Sequence, residues 1–196
     1  MLIDFKTKEV SERYLLMAST VTPRPIAWVV TQDEVVNVAP FSYFSPLSSS
    51  PATLMVSIGH KTDGSPKDTL RNLRKTKKCV VCIVDEEHFN AMHLSSKGLE
   101  TNVSECEYFD IPTKEIVKEY PPMPKGIKIA FFCDYLQEVD LKGSNTIPVI
   151  VEIKQLYIDD KIITNKEKMS LDFSSIARVG RGYASLLEDI DVPEMY

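Results

Sequence analysis

Glycine is scarce in this 196-residue chain, with seven in all, at positions 59, 64, 98, 126, 143, 180 and 182. Phosphate-cradling loops depend on glycine, so the shortage excludes several of them. Gly180-Arg181-Gly182 would need a third glycine at 185 for a dinucleotide fingerprint, and Ser185 stands there. Gly59 and Gly64 have Walker spacing, but Ser65-Pro66 follow where Lys-Ser/Thr is required. No G-x-S-x-G elbow and no H-E-x-x-H occur. A Rossmann domain, a P-loop ATPase, an α/β-hydrolase and a zincin are therefore excluded.

Positive charge is also in short supply. Twenty-three Lys and Arg against 28 Asp and Glu leave a net charge of −5, which argues against a nucleic-acid partner held by phosphate neutralisation. A long apolar run is missing too. The longest uncharged stretch, Val35 to His60, carries six serines and prolines at 40, 46 and 51, so no membrane-spanning helix is expected. Met1 to Glu9 alternates charges and has no signal-peptide core. A cytoplasmic protein with four reduced cysteines is the expectation. Cys79 and Cys82 form a C-x-x-C inside a strand-like run, and an odd spacing on a strand sends the two thiols to opposite faces. That favours core cysteines over a redox or metal pair. His88 and His93 are five apart and share no helix face, and His60 is isolated, so no metal site is expected.

What is present reads mostly as strands. Ile26–Thr31 and Val35–Phe41 flank a short Gln32-Asp33-Glu34 turn, and further strands are expected at Thr53–Ile58, Cys79–Val84, Ile127–Tyr135 and Ile147–Ile158. Pro148 predicts that the last begins at an edge or after that residue. Helices are expected at Ser11–Met17, Pro66–Lys75 and Glu86–Leu94. Strands outnumber helices and rarely alternate with them. The expectation is a mainly β, closed or nearly closed antiparallel sheet with a few peripheral helices, in a single domain spanning 1–196.

Two segments stand out chemically. Ser65-Pro66-Lys67-Asp68 reads as an N-cap serine, a proline at the first helical position and an acid closing a capping box. With Lys67 and the Thr69 hydroxyl, such a helix start either receives a phosphate or is simply a well-capped surface helix. Asn37-Val-Ala-Pro-Phe-Ser-Tyr-Phe-Ser45 mixes hydroxyls and aromatics around a proline. It either wraps a planar ligand or covers the core as a connector.

Five motifs, in order, resemble the flavin reductase-like family of FMN-binding split β-barrels. They are Thr22-Pro-Arg-Pro-Ile-Ala-Trp-Val29, Asn37-Val-Ala-Pro-Phe-Ser-Tyr-Phe44, Ser50-Pro-Ala-Thr-Leu-Met-Val-Ser57, Lys67-Asp-Thr-Leu-Arg-Asn72 and Ala177-Arg-Val-Gly-Arg-Gly-Tyr183. From 85 to 170 the likeness is looser, with Ser104-Glu105 its best anchor. The chain departs from the pattern at Asp33-Glu34-Val35, which lacks a turn glycine, at Ala52 in place of a second proline, and at Arg181 in place of a second glycine.

The resemblance implies a six-stranded Greek-key split β-barrel and a homodimer with FMN near the subunit interface. It maps the isoalloxazine and ribityl contacts onto Asn37, Ala39, Pro40, Phe41 and Ser42. It maps the phosphate contacts onto Lys67 and Thr69, with Ser57 and Arg178 as additions, and places Asp68 between them among the cofactor-binding residues. No catalytic acid, base or nucleophile is required, because a flavin carries the redox chemistry and the protein orients and tunes it. The activity implied is an NAD(P)H-dependent flavin reductase, delivering electrons to a small molecule or a redox protein. The alternative is a flavoredoxin-like FMN carrier that does not itself oxidise NAD(P)H, and a third reading is a ligand-binding barrel without flavin. The choice between NADH and NADPH leaves no mark in the sequence.

Overall fold

All six expected strands form, and they lie in one sheet. The computed structural model describes residues 1–185. The strands are β1 (Arg24–Pro25), β2 (Ala27–Gln32), β3 (Val36–Phe41), β4 (Phe44–Ser49), β5 (Ala52–Gly59), β6 (Lys78–Ile83), β7 (Ile129–Glu138), β8 (Thr146–Ile158), β9 (Ile176–Val179) and β10 (Gly182–Ser185). The helices are α1 (Val10–Thr20), α2 (Asp68–Thr76), α3 (Phe89–Leu94) and α4 (Glu105–Tyr108). The main sheet runs β3-β2-β6-β7-β8-β5-β4, every pair antiparallel. The seventh strand, β4, joins the expected six as an edge. Its Pro46 and its run of serines hide the strand pattern, but an edge strand tolerates a missing N–H.

Side-chain alternation explains why the sheet curls. Ala27 and Val29, Cys79 and Val81, and Leu54, Val56 and Ile58 point to the barrel interior, where Leu70 and Leu73 of α2 plug the end. Trp28, Val30, Val80 and Cys82 point outward to a second core, closed by Met92 of α3, Cys106 of α4 and the 111–127 loop. Both faces are therefore buried. The two thiols of the C-x-x-C fall in different cores, as their spacing predicts, and burial pushes the Cys82 thiol up. All four cysteines are free and buried. The Trp28 indole N–H donates to Ser95 Oγ at 2.9 Å.

Ser42 and Tyr43 carry the chain from one edge of the sheet to the other. The Ser57 N–H donates to the Tyr43 carbonyl at 2.8 Å, extending the β4–β5 ladder by one rung, while β3 and β4 remain unpaired with each other. This is a split barrel. Strand β6 follows β5 in the chain but lies three places away in the sheet, between β2 and β7, and α2 spans that crossing.

Two local expectations need correction. Strand β8 starts at Thr146, before Pro148. The Pro148 carbonyl accepts from Val139 N–H just past the end of β7, so the missing N–H faces the end of that pairing and leaves the ladder to β5 intact. Helix α2 begins at Asp68 with Lys67 as N-cap, so the capping box at Ser65 does not form. Pro66 bridges to His60 instead, and the Ser65 N–H and hydroxyl both donate to Asp63, at 2.8 and 2.6 Å. The C-terminal motif forms a hairpin, β9–β10. Only Gly180 in its turn has a positive φ (54°), so Arg181 at the second turn position is unstrained. Among the described residues no helix is long and apolar enough to cross a membrane.

Candidate functional site

The Asn37–Ser45 segment is the end of β3, the crossing at Ser42–Tyr43 and the start of β4, not a free loop. Its two halves lead different lives. In the first half, the Asn37 amide nitrogen donates to both oxygens of Glu105, at 3.1 and 2.9 Å. The Asn37 carbonyl oxygen accepts from the Thr69 hydroxyl at 2.9 Å and the Thr31 hydroxyl at 3.2 Å. Asn72 completes the cluster by donating to Thr31 at 3.3 Å. All five side chains are buried.

The Val38 N–H turns away from β2 and donates to Glu105 at 3.1 Å, while Ser104 Oγ donates to the Val36 carbonyl at 2.6 Å. The start of α4 thus covers the free edge of β3. Desolvation pushes the Glu105 carboxyl above its ordinary value, against the pull of its hydrogen bonds. The sequence marks Ser104-Glu105 as an anchor of the resemblance but not the role of Glu105 in this cluster, because its partners lie 67 and 68 residues away.

Beyond Val38 the edge is uncovered. Outward groups alternate along an antiparallel strand, so the Pro40 carbonyl faces the same side as the Val38 N–H, and Pro40 adds no N–H of its own. Pro40, Phe41 and Ser42 wall a cavity of about 260 Å³. Ile26 and Met92 give it apolar surface, and Tyr14 of α1 closes one side. His93, Ser96, Arg178 and Tyr183 supply the polar wall. His93 Nδ1 lies 3.2 Å from the Tyr183 hydroxyl, and the Arg178 guanidinium lies over the Tyr183 ring at 4.4 Å. The Lys67 ammonium lies 5.7 Å from the centre of the Phe41 ring.

The structure therefore brings together Pro40, Phe41, Ser42 and Arg178 on one cavity, with Lys67 beside it. It separates the rest. Asn37 and Thr69 face each other in the buried cluster, and Ala39 packs toward the barrel interior, the side that also takes most of the Phe41 ring, which is 8% exposed. Burial pushes the Asp68 carboxyl up, but Lys61 at 2.9 Å and Arg71 outweigh it and hold the acid below its ordinary value. An ionised acid so placed opposes, rather than binds, a phosphate. Ser57 lies on the outer face of β5, opposite Val56 and Ile58. Tyr14, His93 and Ser96 had no pattern to mark them, since helix packing alone delivers them to the cavity.

Among the described residues, one cluster has metal-ligand chemistry, Asp85, Glu87 and His88. Its donors are already engaged. Asp85 holds Lys128 at 2.7 Å and His88 at 2.6 Å, and the other His88 nitrogen lies 3.1 Å from the Lys125 carbonyl.

Comparison with known proteins agrees with this layout. Residues 17–171 match the profile described as the flavin reductase like domain. An uncharacterized protein of Aquifex aeolicus is 31% identical over 177 residues, covering 87% of each chain. Among solved structures, nitrilotriacetate monooxygenase component B from Bacillus cereus superimposes with a TM-score of 0.90 at 26% identity, over 98% of both chains. The 2-nitrobenzoate 2-nitroreductase of Pseudomonas fluorescens has the same fold, with a TM-score of 0.88 at 24% identity over 100% of this chain and 96% of that one. A match across most of the sequence, on a split barrel, makes this chain a member of the flavin reductase-like family.

Proposed function

We propose that this protein is an FMN-binding oxidoreductase that takes electrons from NAD(P)H, an NAD(P)H:flavin reductase. One observation carries the reading. The Phe41 platform, which lines the cavity, is attended by Lys67, a cation that contacts only the Phe41 ring and holds no carboxylate among the described residues. Lys61, Arg71, Arg74, Lys75, Lys78 and Lys128 each hold an acid, and Lys77 and Lys97, which also rest on rings, do not line the cavity. A planar ring bearing an anionic tail fits such a place.

Lys67, at the start of α2, would neutralise the flavin phosphate, aided by the partial positive charge of the helix N-terminus. Phe41 and Ser42 would hold the ring system, with the Pro40 carbonyl as a fixed acceptor for a ring N–H. When bound, FMN supplies the two-electron chemistry, accepting hydride equivalents from reduced nicotinamide. Asn37, Thr69 and Glu105 would fix the β3 backbone under the ring, so that the acceptor groups are set before the cofactor arrives.

The reading includes a homodimer. Helix α1 exposes Val10, Tyr14, Met17 and Val21 along one stripe, and the β4 edge exposes Leu47. A second copy covering that surface would bury both the stripe and the sheet edge. Sedimentation of the FMN-loaded protein would return a dimer mass, and a monomer at micromolar concentration would refute this part.

The deciding experiment is anaerobic absorbance of FMN-reconstituted protein before and after NADH or NADPH. Rapid bleaching of bound flavin supports the reductase and names the donor. Flavin that stays oxidised with both nucleotides, yet bleaches with dithionite, favours the electron carrier. Protein that retains no flavin refutes the cofactor.

A further inference from the structure

The three-stranded sheet β1-β9-β10 presents an unusual row. Arg24 lies directly opposite Arg178, and Arg178 directly opposite Tyr183, so all three side chains project from one face. Like charges opposed across antiparallel strands repel. Neither arginine has a carboxylate partner among the described residues. Arg24 is buried, 6% exposed, and only its Nη1 is engaged, donating to the carbonyls of Ala18 and Val21 at 2.7 and 2.6 Å. Its Nε and Nη2 find no hydrogen-bond partner, and its guanidinium faces the Tyr43 ring at 5.9 Å. The fold thus sets a buried, partly unpartnered guanidinium on the strand position opposite a second one, and that second one lines the cavity.

Such a pair is costly unless an anion shares it. A guanidinium presents its N–H groups as a flat fork, which suits a carboxylate held by two bonds. The Tyr183 hydroxyl and His93 add hydrogen-bonding groups beside it. The remaining walls, Tyr14, Phe41, Ile26 and Met92, are ring-sized and largely apolar. Lys67 is beside the same platform but comes from another element, α2, and is left for the flavin phosphate.

We propose that Arg178, backed by the field of Arg24, binds the carboxylate of an aromatic electron acceptor whose ring enters the cavity beside Phe41. The redox meaning of this subsite rests on the flavin reading above, but its existence does not. Arg24 contributes charge and holds the end of α1, and so is a positioning residue. Arg178 is the contact.

The test is calorimetric titration of benzoate and of its neutral isostere benzamide into the protein, both flavin-free and FMN-loaded. The proposal expects benzoate to bind at least tenfold tighter than benzamide in both forms. Arg178→Gln should abolish that preference while Arg178→Lys keeps part of it, which separates charge recognition from a folding defect. Equal binding of the two probes, or a preference that survives Arg178→Gln, would overturn it. So would benzoate binding that disappears on FMN loading, because Arg178 would then belong to the flavin phosphate. If the protein takes up no FMN, the proposed function fails, yet the flavin-free titration still decides this subsite.

Discussion

The two ends of β3 are built from the same motif and differ in one respect, the fate of their polar groups. At Asn37 every side-chain donor and acceptor is matched within the protein, by Glu105, Thr69 and Thr31. At Pro40–Ser42 the edge faces an open cavity, and the cations around it rest on aromatic rings instead of acids. A satisfied buried network rigidifies, whereas unsatisfied polar groups at a cavity are available to a ligand. One short strand therefore has a scaffold end and a binding end, and residue type does not tell them apart.

The comparison breaks most visibly at Glu105. Glu105→Ala would leave the Asn37 amide and the Val38 N–H buried without an acceptor, and we expect a loss of about 3 kcal/mol, read as a lower urea midpoint. A loss under about 1 kcal/mol would show that the network is not structural. Thr69→Val removes one hydroxyl from the same cluster. It should cost about 1–2 kcal/mol in stability and leave FMN affinity within about twofold in the folded fraction. A large drop in affinity with normal stability would return Thr69 to the phosphate site.

Lys67→Ala acts on the other side of the comparison. It should weaken FMN binding about tenfold, close to 1.4 kcal/mol, with stability changed by no more than about 0.5 kcal/mol. Unchanged FMN affinity would remove Lys67 from the site. The smallest effect is a pH slope. Desolvation raises the Glu105 carboxyl above 4.5, so the folded chain holds that proton to higher pH than the unfolded chain does. Its contribution to stability is full below about 4.5 and is lost as pH rises through the folded value. The stability difference between wild type and Glu105→Gln should therefore shift toward wild type as pH falls from 7 to 5. A difference that is flat with pH would mean the carboxyl is not raised.

Most of the barrel was legible because both faces of its central strands are buried. Runs such as Ala27-Trp-Val-Val30 and Cys79-Val-Val-Cys82 cannot be solvated, so they announce themselves. Edge and terminal elements were harder. Strand β4 carries Pro46 and three serines, and α4 is four residues long, too short for any periodicity. The helix start at 65–68 read as a capping box, but Pro66 pairs with His60 and the helix opens two residues later. Within the site, the motifs that stand out in the sequence hold both cavity-lining and buried side chains, and residue type does not separate the two. Asn37 and Thr69 have the chemistry of ligand contacts and are spent on each other.

From the sequence alone came the strand set, the separation of the two thiols onto opposite faces, the lack of glycine-rich phosphate loops, and the motif order that marks the family. These depend on local alternation and spacing, which the chain carries residue by residue. Only the tertiary structure decided which polar groups are consumed and which remain free. That depends on who meets whom across long separations, Asn37 with Glu105, Tyr14 with Phe41, Arg24 with Arg178. A hydrogen bond or a like-charge pair is a property of two residues at a distance, and no window along the chain contains both.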